Sequence, residues 1–283
     1  MLDVLYLVAI ILGVSGQSIL KKPYTQKVGG SGVYVFGTLT GLGALLFFVL
    51  TSSDLQFSTS FLPYSVGFAV SYAVSVAFAV LAIAHGSLSL TSLFVSYSLM
   101  IPTAYGLLFW GDPVRVGSIV GLGLLMISLF LVNKTEKGAR FSFKWVLFVL
   151  LAFAGNGMCT VVQKLQQNAS GGAYKNEFMI VALALVTVFM LVMALLRNRR
   201  DLKLCVTSGW HLALVCGLLN GMVNLFVMIL SHRMVASLMF PLISAGGLII
   251  TYLVSRFVYK EQLTTRQTVG FVFGLAAIVF LNL

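Results

Sequence analysis

The sequence predicts an all-α integral membrane protein in which ten transmembrane helices form two inverted five-helix repeats. Three observations predict this fold class. First, 59% of the residues are hydrophobic and 9% are charged, whereas soluble domains carry about 25% charged residues. Second, the chain contains ten apolar runs, each close to the roughly 20 residues that a helix needs to cross a hydrocarbon core. Third, the second half of the chain repeats polar positions of the first half in the same order.

Spans 1 to 10 lie at 2–20, 31–50, 61–84, 87–110, 114–133, 143–164, 178–196, 207–230, 234–257 and 267–283. The connectors between them are short, so a soluble domain has no room in the chain. Backbone groups in lipid have no water to bond, which leaves helices or a closed barrel. Barrel strands need only about 10 residues of alternating character, so these longer, continuous runs are expected to be helices. Lysines follow span 1 rather than precede it, and we expect a retained helix rather than a signal peptide.

The internal repeat sets the expected domain organisation. A shift of 148 residues pairs identical polar residues: Ser89 with Ser237, Ser96 with Ser244 and Thr103 with Thr251. A shift of 143 residues pairs Lys21 with Lys164. The ordered series predicts one repeat over 1–136 and a second over 137–283. Because each repeat holds five spans, an odd number, the two repeats enter the membrane in opposite directions, as in alternating-access carriers.

The basic residues predict the orientation. The connectors after spans 1, 3, 5, 7 and 9 carry fourteen Lys and Arg residues, and the other side carries four. By the positive-inside rule both termini lie outside, in a multi-pass protein of the cell membrane, taken to be a bacterial cytoplasmic membrane. The net charge of +11 is spread along these connectors, which gives no basis for nucleic-acid binding. The expected partners are the lipid bilayer and a small-molecule substrate.

Polar residues in the middle of spans predict the substrate-binding site, because such residues are costly in lipid. The candidates are Gln17 on span 1; Ser71, Tyr72 and Ser75 on span 3; Ser92 and Ser96 on span 4; Asn156 and Thr160 on span 6; Asn220 and Asn224 on span 8; and Ser244 on span 9. The hydroxyl-bearing faces of spans 4 and 9 favour a wet pathway between these helices. The alternatives are close packing for the hydroxyl residues, helix-to-helix amide bonds without a ligand for the Asn and Gln residues, and aromatic packing for Tyr72.

The missing residue types limit the chemistry. Every Asp and Glu falls in a connector or near a span end, so no buried carboxylate is expected to carry a proton or to balance a cationic substrate. Lys21 and Lys164, at span ends, are expected to snorkel toward the interface. The three cysteines have no metal-type spacing, and neither a metal nor a cofactor is expected. His85 and His232 are predicted on opposite sides of the membrane without an acidic partner, which disfavours an enzyme.

The two halves end in similar segments, GDPVRVGSIVGLGLLMISLFLVN and YKEQLTTRQTVGFVFGLAAIVFLNL. An acidic turn followed by a glycine-bearing last helix, together with the ten spans, resembles the EamA-like branch of the drug/metabolite transporter superfamily. The resemblance implies a helical bundle with a central cavity lined mainly by spans 1, 3, 4, 6, 8 and 9. Two departures stand out. In the small multidrug resistance relatives a Glu couples transport to protons, and Gly13 and Asn156 occupy the corresponding positions here. Family members also usually keep both termini in the cytoplasm, whereas the basic residues of this chain place them outside.

The sequence therefore predicts a secondary active or facilitative transporter that moves a small neutral or zwitterionic metabolite by alternating access. One alternative is an exporter of hydrophobic drugs or organic cations, in which residues such as Tyr72, Phe78 and Tyr97 stack on the cation. Another is a flippase for a lipid-linked substrate. Small-residue faces on spans 5 and 10 allow close helix contact, either within the fold or between the protomers of a homodimer.

Overall fold

The computed structural model describes residues 2–28, 32–52, 55–56, 58–85, 95, 98, 100–111, 116–132, 143–197, 202–257 and 265–281. The helices are α1 (Leu2–Val28), α2 (Val33–Thr51), α3 (Leu62–His85), α4 (Met100–Phe109), α5 (Val116–Val132), α6 (Phe143–Ala169), α7 (Lys175–Arg197), α8 (Leu202–Thr207), α9 (Trp210–Arg233), α10 (Ala236–Phe257) and α11 (Thr265–Leu281). These ranges contain no β-strand. The all-helical prediction is therefore confirmed for the part of the chain that the structure describes.

Several described helices have the length and composition of membrane spans. Five segments are long and apolar enough to cross a bilayer: Val33–Thr51, Thr59–Ala79, Phe143–Ala169, Lys175–Arg197 and Trp210–Arg233. Two helices run past the predicted span ends, since α1 continues to Val28 and α6 continues to Ala169. The predicted ends follow the apolar runs of the sequence. Backbone hydrogen bonding does not stop where hydropathy falls, so the helices extend beyond the apolar runs.

The helices before residue 136 pack mainly against the helices after it. Helix α1 contacts α9 and α10, α2 contacts α7 and α9, α3 contacts α6 and α7, α4 contacts α6 and α10, and α5 contacts α11. Helix α6 also contacts α9. Because α9 touches both α1 and α6, these three helices can bring side chains from both halves of the chain together.

Aromatic and aliphatic side chains fill the contacts between the helices and also cover the outside. Phe48, Phe68 and Phe178 are almost completely buried in one cluster between α2, α3, α6 and α7. On the outer surface large apolar side chains are exposed, for example Leu50 at 79% and Leu196 at 75%. Apolar exposure on this scale would be a liability in water, and it is the surface expected of a protein that faces lipid.

Glycines allow α2 and α9 to cross with their backbones in contact. A Cβ atom added to Gly43 would lie 2.7 Å from the Leu214 carbonyl oxygen and 3.0 Å from the Cα atom of Gly217. Membrane helices associate through such close packing rather than through a hydrophobic effect, because lipid is as apolar as the side chains. This crossing holds α9 against the first half of the chain.

Candidate functional site

Four amide side chains form one hydrogen-bonded row across α6, α9 and α1. The Nε2 group of Gln163 donates to Asn224 Oδ1 at 2.6 Å. The Nδ2 group of Asn224 donates to Asn220 Oδ1 at 2.9 Å and to the Asn220 carbonyl at 2.8 Å. The Nδ2 group of Asn220 then donates to Gln17 Oε1 at 3.1 Å. We call Gln17, Gln163, Asn220 and Asn224 the amide row; its bonds are 2.6–3.1 Å long.

The spacing of the residues explains the row. Asn220 and Asn224 are four residues apart on α9, so their side chains lie on one face of that helix. Gln17 reaches this face from α1 and Gln163 reaches it from α6, the two helices that α9 contacts. The structure thus brings together three of the predicted site residues, Gln17, Asn220 and Asn224. It also places them in the amide-to-amide bonds that were the alternative to a ligand role.

The amide row has hydrogen-bonding capacity beyond its own bonds. Gln163 is 1% exposed and Gln17 is 8% exposed, whereas Asn220 and Asn224 are only partly buried. A primary amide offers two N–H donors and an oxygen with two acceptor sites, and within the row Asn220 donates through a single bond. A solute that reaches α9 would therefore find uncharged donors and acceptors together.

Asn156 forms a separate polar contact on α6. Its Nδ2 group donates to Ser98 Oγ at 2.6 Å and to the Val95 carbonyl at 3.4 Å. Asn156 and Gln163 are two helical turns, or about 10 Å, apart along α6, so Asn156 points from the same face at a different depth. Val95 and Ser98 belong to predicted span 4. The site candidates of that span are Ser92 and Ser96, and both lie outside the described residues.

Ser71 and Ser75 lie where α3 touches α6. The Ser71 hydroxyl donates to the Gly67 carbonyl of its own helix at 2.8 Å, and Ser75 is 4% exposed. A Cβ atom added to Gly155 of α6 would lie 2.7 Å from both the Ser71 carbonyl oxygen and the Ser75 backbone nitrogen. The small serines allow this backbone contact, which is a packing role. Their substrate-binding role stays a prediction.

The remaining candidates lie apart from the amide row. The Tyr72 ring stacks on Phe68 with centroids 5.9 Å apart and planes at 18°. The Thr160 hydroxyl donates to the Gly157 carbonyl at 2.8 Å, and Ser244 is 8% exposed. No described hydrogen bond joins these three side chains to the row, and a role for them in binding also stays a prediction.

Gln163 and Lys164 show what the sequence analysis missed. Gln163 was passed over although it lies two turns from Asn156 on one helix face, the signal that could have identified it. Lys164 was expected to snorkel, but it is only 4% exposed. Its Nζ group donates to the Met234 carbonyl at 2.9 Å and lies 5.1 Å from the centroid of the Trp110 ring. The carbonyl dipole and the ring face stabilise the ammonium group inside the protein.

The amide row is an uncharged site. The acidic residues Asp3 and Glu177 lie in the first turns of α1 and α7, and Asp3 pairs with Arg233 at 3.1 Å on the surface. Among the described residues, no three His, Cys, Asp or Glu side chains are grouped to hold a metal ion. The arrangement can recognise hydroxyl, amide or similar polar groups by hydrogen bonding.

Comparison with known proteins adds three findings. Residues 143–283 match the model of the EamA-like transporter family. A protein of Haemophilus influenzae named "Uncharacterized protein" is 26% identical over 186 residues, which are 64% of this chain and 62% of that protein. A protein of known crystal structure superposes with a TM-score of 0.73 at 11% identity, over 98% of this chain and 95% of the other. At that identity the superposition shows a shared fold alone.

Proposed function

Because the chain belongs to the EamA-like transporter family, we propose that it carries a small neutral or zwitterionic metabolite across the membrane by alternating access. In this proposal the amide row is the polar surface that the substrate meets. The observation that carries the proposal is the continuous set of bonds from Gln163 through Asn224 and Asn220 to Gln17. Four amides without a charge suit a substrate without a net charge.

The row can exchange its own bonds for bonds to a substrate. An amide hydrogen bond and a bond from the same amide to a hydroxyl or amide of the substrate differ little in free energy, because both are neutral pairs. Opening the row without a substrate would leave buried amides unpaired, which is unfavourable. Substrate entry would therefore favour the separation of α9 from α1 or α6, which is the motion that a carrier needs.

The proposed architecture is ten transmembrane helices in two inverted repeats, 1–136 and 137–283. In the repeat alignment α1 to α3 correspond to α6, α7 and α9, and α4 and α5 correspond to α10 and α11. Exchanging the repeats turns the α1–α9 contact into α6–α3, α1–α10 into α6–α4 and α2–α9 into α7–α3, and each of these contacts is present. This agreement supports a two-fold relation between the repeats.

The direction of the helices supports the inversion. Tyr6, near the start of α1, and Gln167, near the end of α6, line the same cavity. The equivalent helices α1 and α6 therefore run in opposite directions.

The location of the termini is a separate question. The distribution of basic residues favours a cell-membrane orientation with both termini outside, whereas the family resemblance favours both termini in the cytoplasm. Accessibility of a cysteine introduced near Leu2 to a membrane-impermeant reagent, in intact cells and in inverted vesicles, distinguishes the two orientations.

The test combines a substrate screen with transport. Purified protein is first screened for thermal stabilisation by amino acids, sugars, nucleosides and amines, because a ligand of the folded state raises its stability. The best ligand is then followed into reconstituted vesicles. We expect the double variant Asn220→Leu, Asn224→Leu to lose transport, while the control Asn168→Leu, at an exposed position near the end of α6, keeps it. A wild-type rate for the folded double variant would remove the amide row from the transport pathway.

A further inference from the structure

A polar cavity lies at one end of the helices, outside the amide row. It has a volume of about 290 Å³ and lies between the start of α1, the turn from α6 to α7 and the end of α9. Its walls include the polar or charged residues Gln167, Lys175, His232 and Arg233 and the larger apolar surfaces of Tyr6 and Ile229. Gln167 is one helical turn, about 6 Å, beyond Gln163 along α6.

Lys175 supplies a cation to this cavity. Its Nζ group donates to the Gly172 carbonyl at 2.5 Å, and an ammonium group has three N–H donors, so donors remain for a ligand. Arg233 adds a guanidinium, but its Nη1 group is bonded to Asp3 Oδ1 at 3.1 Å. Since Asp3 offsets much of the charge of Arg233, Lys175 is the main positive group of the cavity.

Gln167 supplies an acceptor that has no donor. The residue is completely buried, and its Oε1 atom has no hydrogen-bond partner among the described residues. Its Nε2 group donates to Gln166 Oε1, which fixes which end of the amide is the free oxygen. A buried unpaired carbonyl is unfavourable. Gln167 is also one of the residues that line the cavity, so a donor bound there is a candidate partner for Oε1.

The wall beside these groups is built by the turn from α6 to α7. Gly172 adopts a φ of 85°, a backbone conformation that residues other than glycine rarely adopt. A Cβ atom at this position would lie 3.2 Å from the His232 ring. The turn therefore packs directly on His232 and holds the start of α7, with Lys175, against the end of α9.

We propose that this cavity binds a small anion that carries a neighbouring hydroxyl or ammonium donor. The anionic group lies at Lys175, with Arg233 at the rim, and the donor binds Gln167 Oε1. A dissolved hydroxy acid or amino acid and the headgroup of an anionic lipid share this chemistry. The site lies on the three helices of the amide row together with the start of α7, so its ligand would sit at one end of any route along the row. The proposal rests on the cavity itself and holds whether or not the amide row transports a solute.

The solute experiment uses three probes of one size. Lactate has a carboxylate and a hydroxyl, propionate has only the carboxylate, and 1,2-propanediol has only hydroxyls. Thermal stabilisation of the purified full-length protein is measured over a concentration series of each probe. We expect lactate to bind more tightly than propionate, and propanediol not to bind. Lys175→Gln is expected to weaken lactate at least tenfold, and Gln167→Leu is expected to abolish the preference for lactate over propionate.

The control variant is Lys144→Gln, which removes an exposed lysine at the start of α6 and is expected to leave lactate binding unchanged. The lipid experiment compares stability in nanodiscs of phosphatidylglycerol, whose headgroup carries hydroxyls, with stability in phosphatidylcholine. A difference that Lys175→Gln removes, together with no effect of lactate in detergent, assigns the site to a lipid headgroup. Stabilisation by lactate in detergent assigns it to a solute. If neither lactate nor phosphatidylglycerol stabilises the protein, or if Lys175→Gln behaves as Lys144→Gln, the proposal is wrong.

Discussion

Removing one member of the amide row should destabilise the protein by an amount that depends on its partner. Asn224→Leu deletes two bonds donated to Asn220 and one accepted from Gln163. It leaves the Gln163 amide, 1% exposed, with a weak 3.8 Å contact to the Met179 sulfur. An unsatisfied buried group costs about 1–3 kcal/mol, which we expect for this variant.

The coupling between Gln163 and Asn224 is smaller than that penalty. Hydrogen bonds between membrane helices average about 0.6 kcal/mol and reach about 1.7 kcal/mol. We therefore expect a coupling energy of roughly 0.6–1.7 kcal/mol between Gln163→Leu and Asn224→Leu. The double variant should lose less than the sum of the two single variants, because it removes both ends of the buried contact.

A double-mutant cycle on the reversible unfolding of the protein in bicelles measures this coupling. The matched cycle pairs Gln163→Leu with Asn168→Leu, an exposed residue of the same helix, and independent residues should add within about 0.5 kcal/mol. If the losses of unfolding free energy add in both cycles, the 2.6 Å bond between Gln163 and Asn224 contributes nothing. The argument that the row joins α6 to α9 would then fail.

Two further variants test the helix packing that holds the row. Gly43→Ala would place a Cβ atom 2.7 Å from the Leu214 carbonyl oxygen, and overpacking of this kind costs about 1–3 kcal/mol; Gly123→Ala, with nothing within 4 Å, is the control and should not lower the thermal unfolding temperature. Ser128→Ala removes the 2.5 Å hydrogen bond to the Gly270 carbonyl between α5 and α11. A loss of about 1 kcal/mol is expected, and an unchanged unfolding temperature would contradict a structural role for this bond.

The helical architecture could be predicted because its cause is spread over many residues. Apolar runs of membrane length follow from composition alone, and hydrogen bonding within each run leaves helices as the natural form. Helix ends were less predictable, since α6 continues to Ala169 with a run of amides after its apolar part. The position of Lys164 was also missed, because its partners, the Met234 carbonyl and the Trp110 ring, lie far away in sequence.

The candidate site was predicted in part because single amides stand out in apolar spans. Gln17, Asn220 and Asn224 could each be singled out from cost in lipid, and the structure joins them. Which residues touch depends on the angle at which helices cross, and this angle follows from close contacts such as Gly43 against Gly217. No local pattern in either helix encodes that contact, so the partner of each amide could not be read from its own span.

Gln163 was missed for a more specific reason, which concerns symmetry. In the repeat alignment that pairs Lys21 with Lys164, Gln163 falls on Leu20, and in the alignment that pairs His85 with His232, Asn220 and Asn224 fall on Ala73 and Ala77. Three of the four amides thus have apolar counterparts in the first half. Self-similarity reveals what both halves share, which is helix packing. Under the proposed function the row meets one asymmetric solute and needs its polar groups only once, so a search for repeated residues passes over the residues that distinguish the two halves.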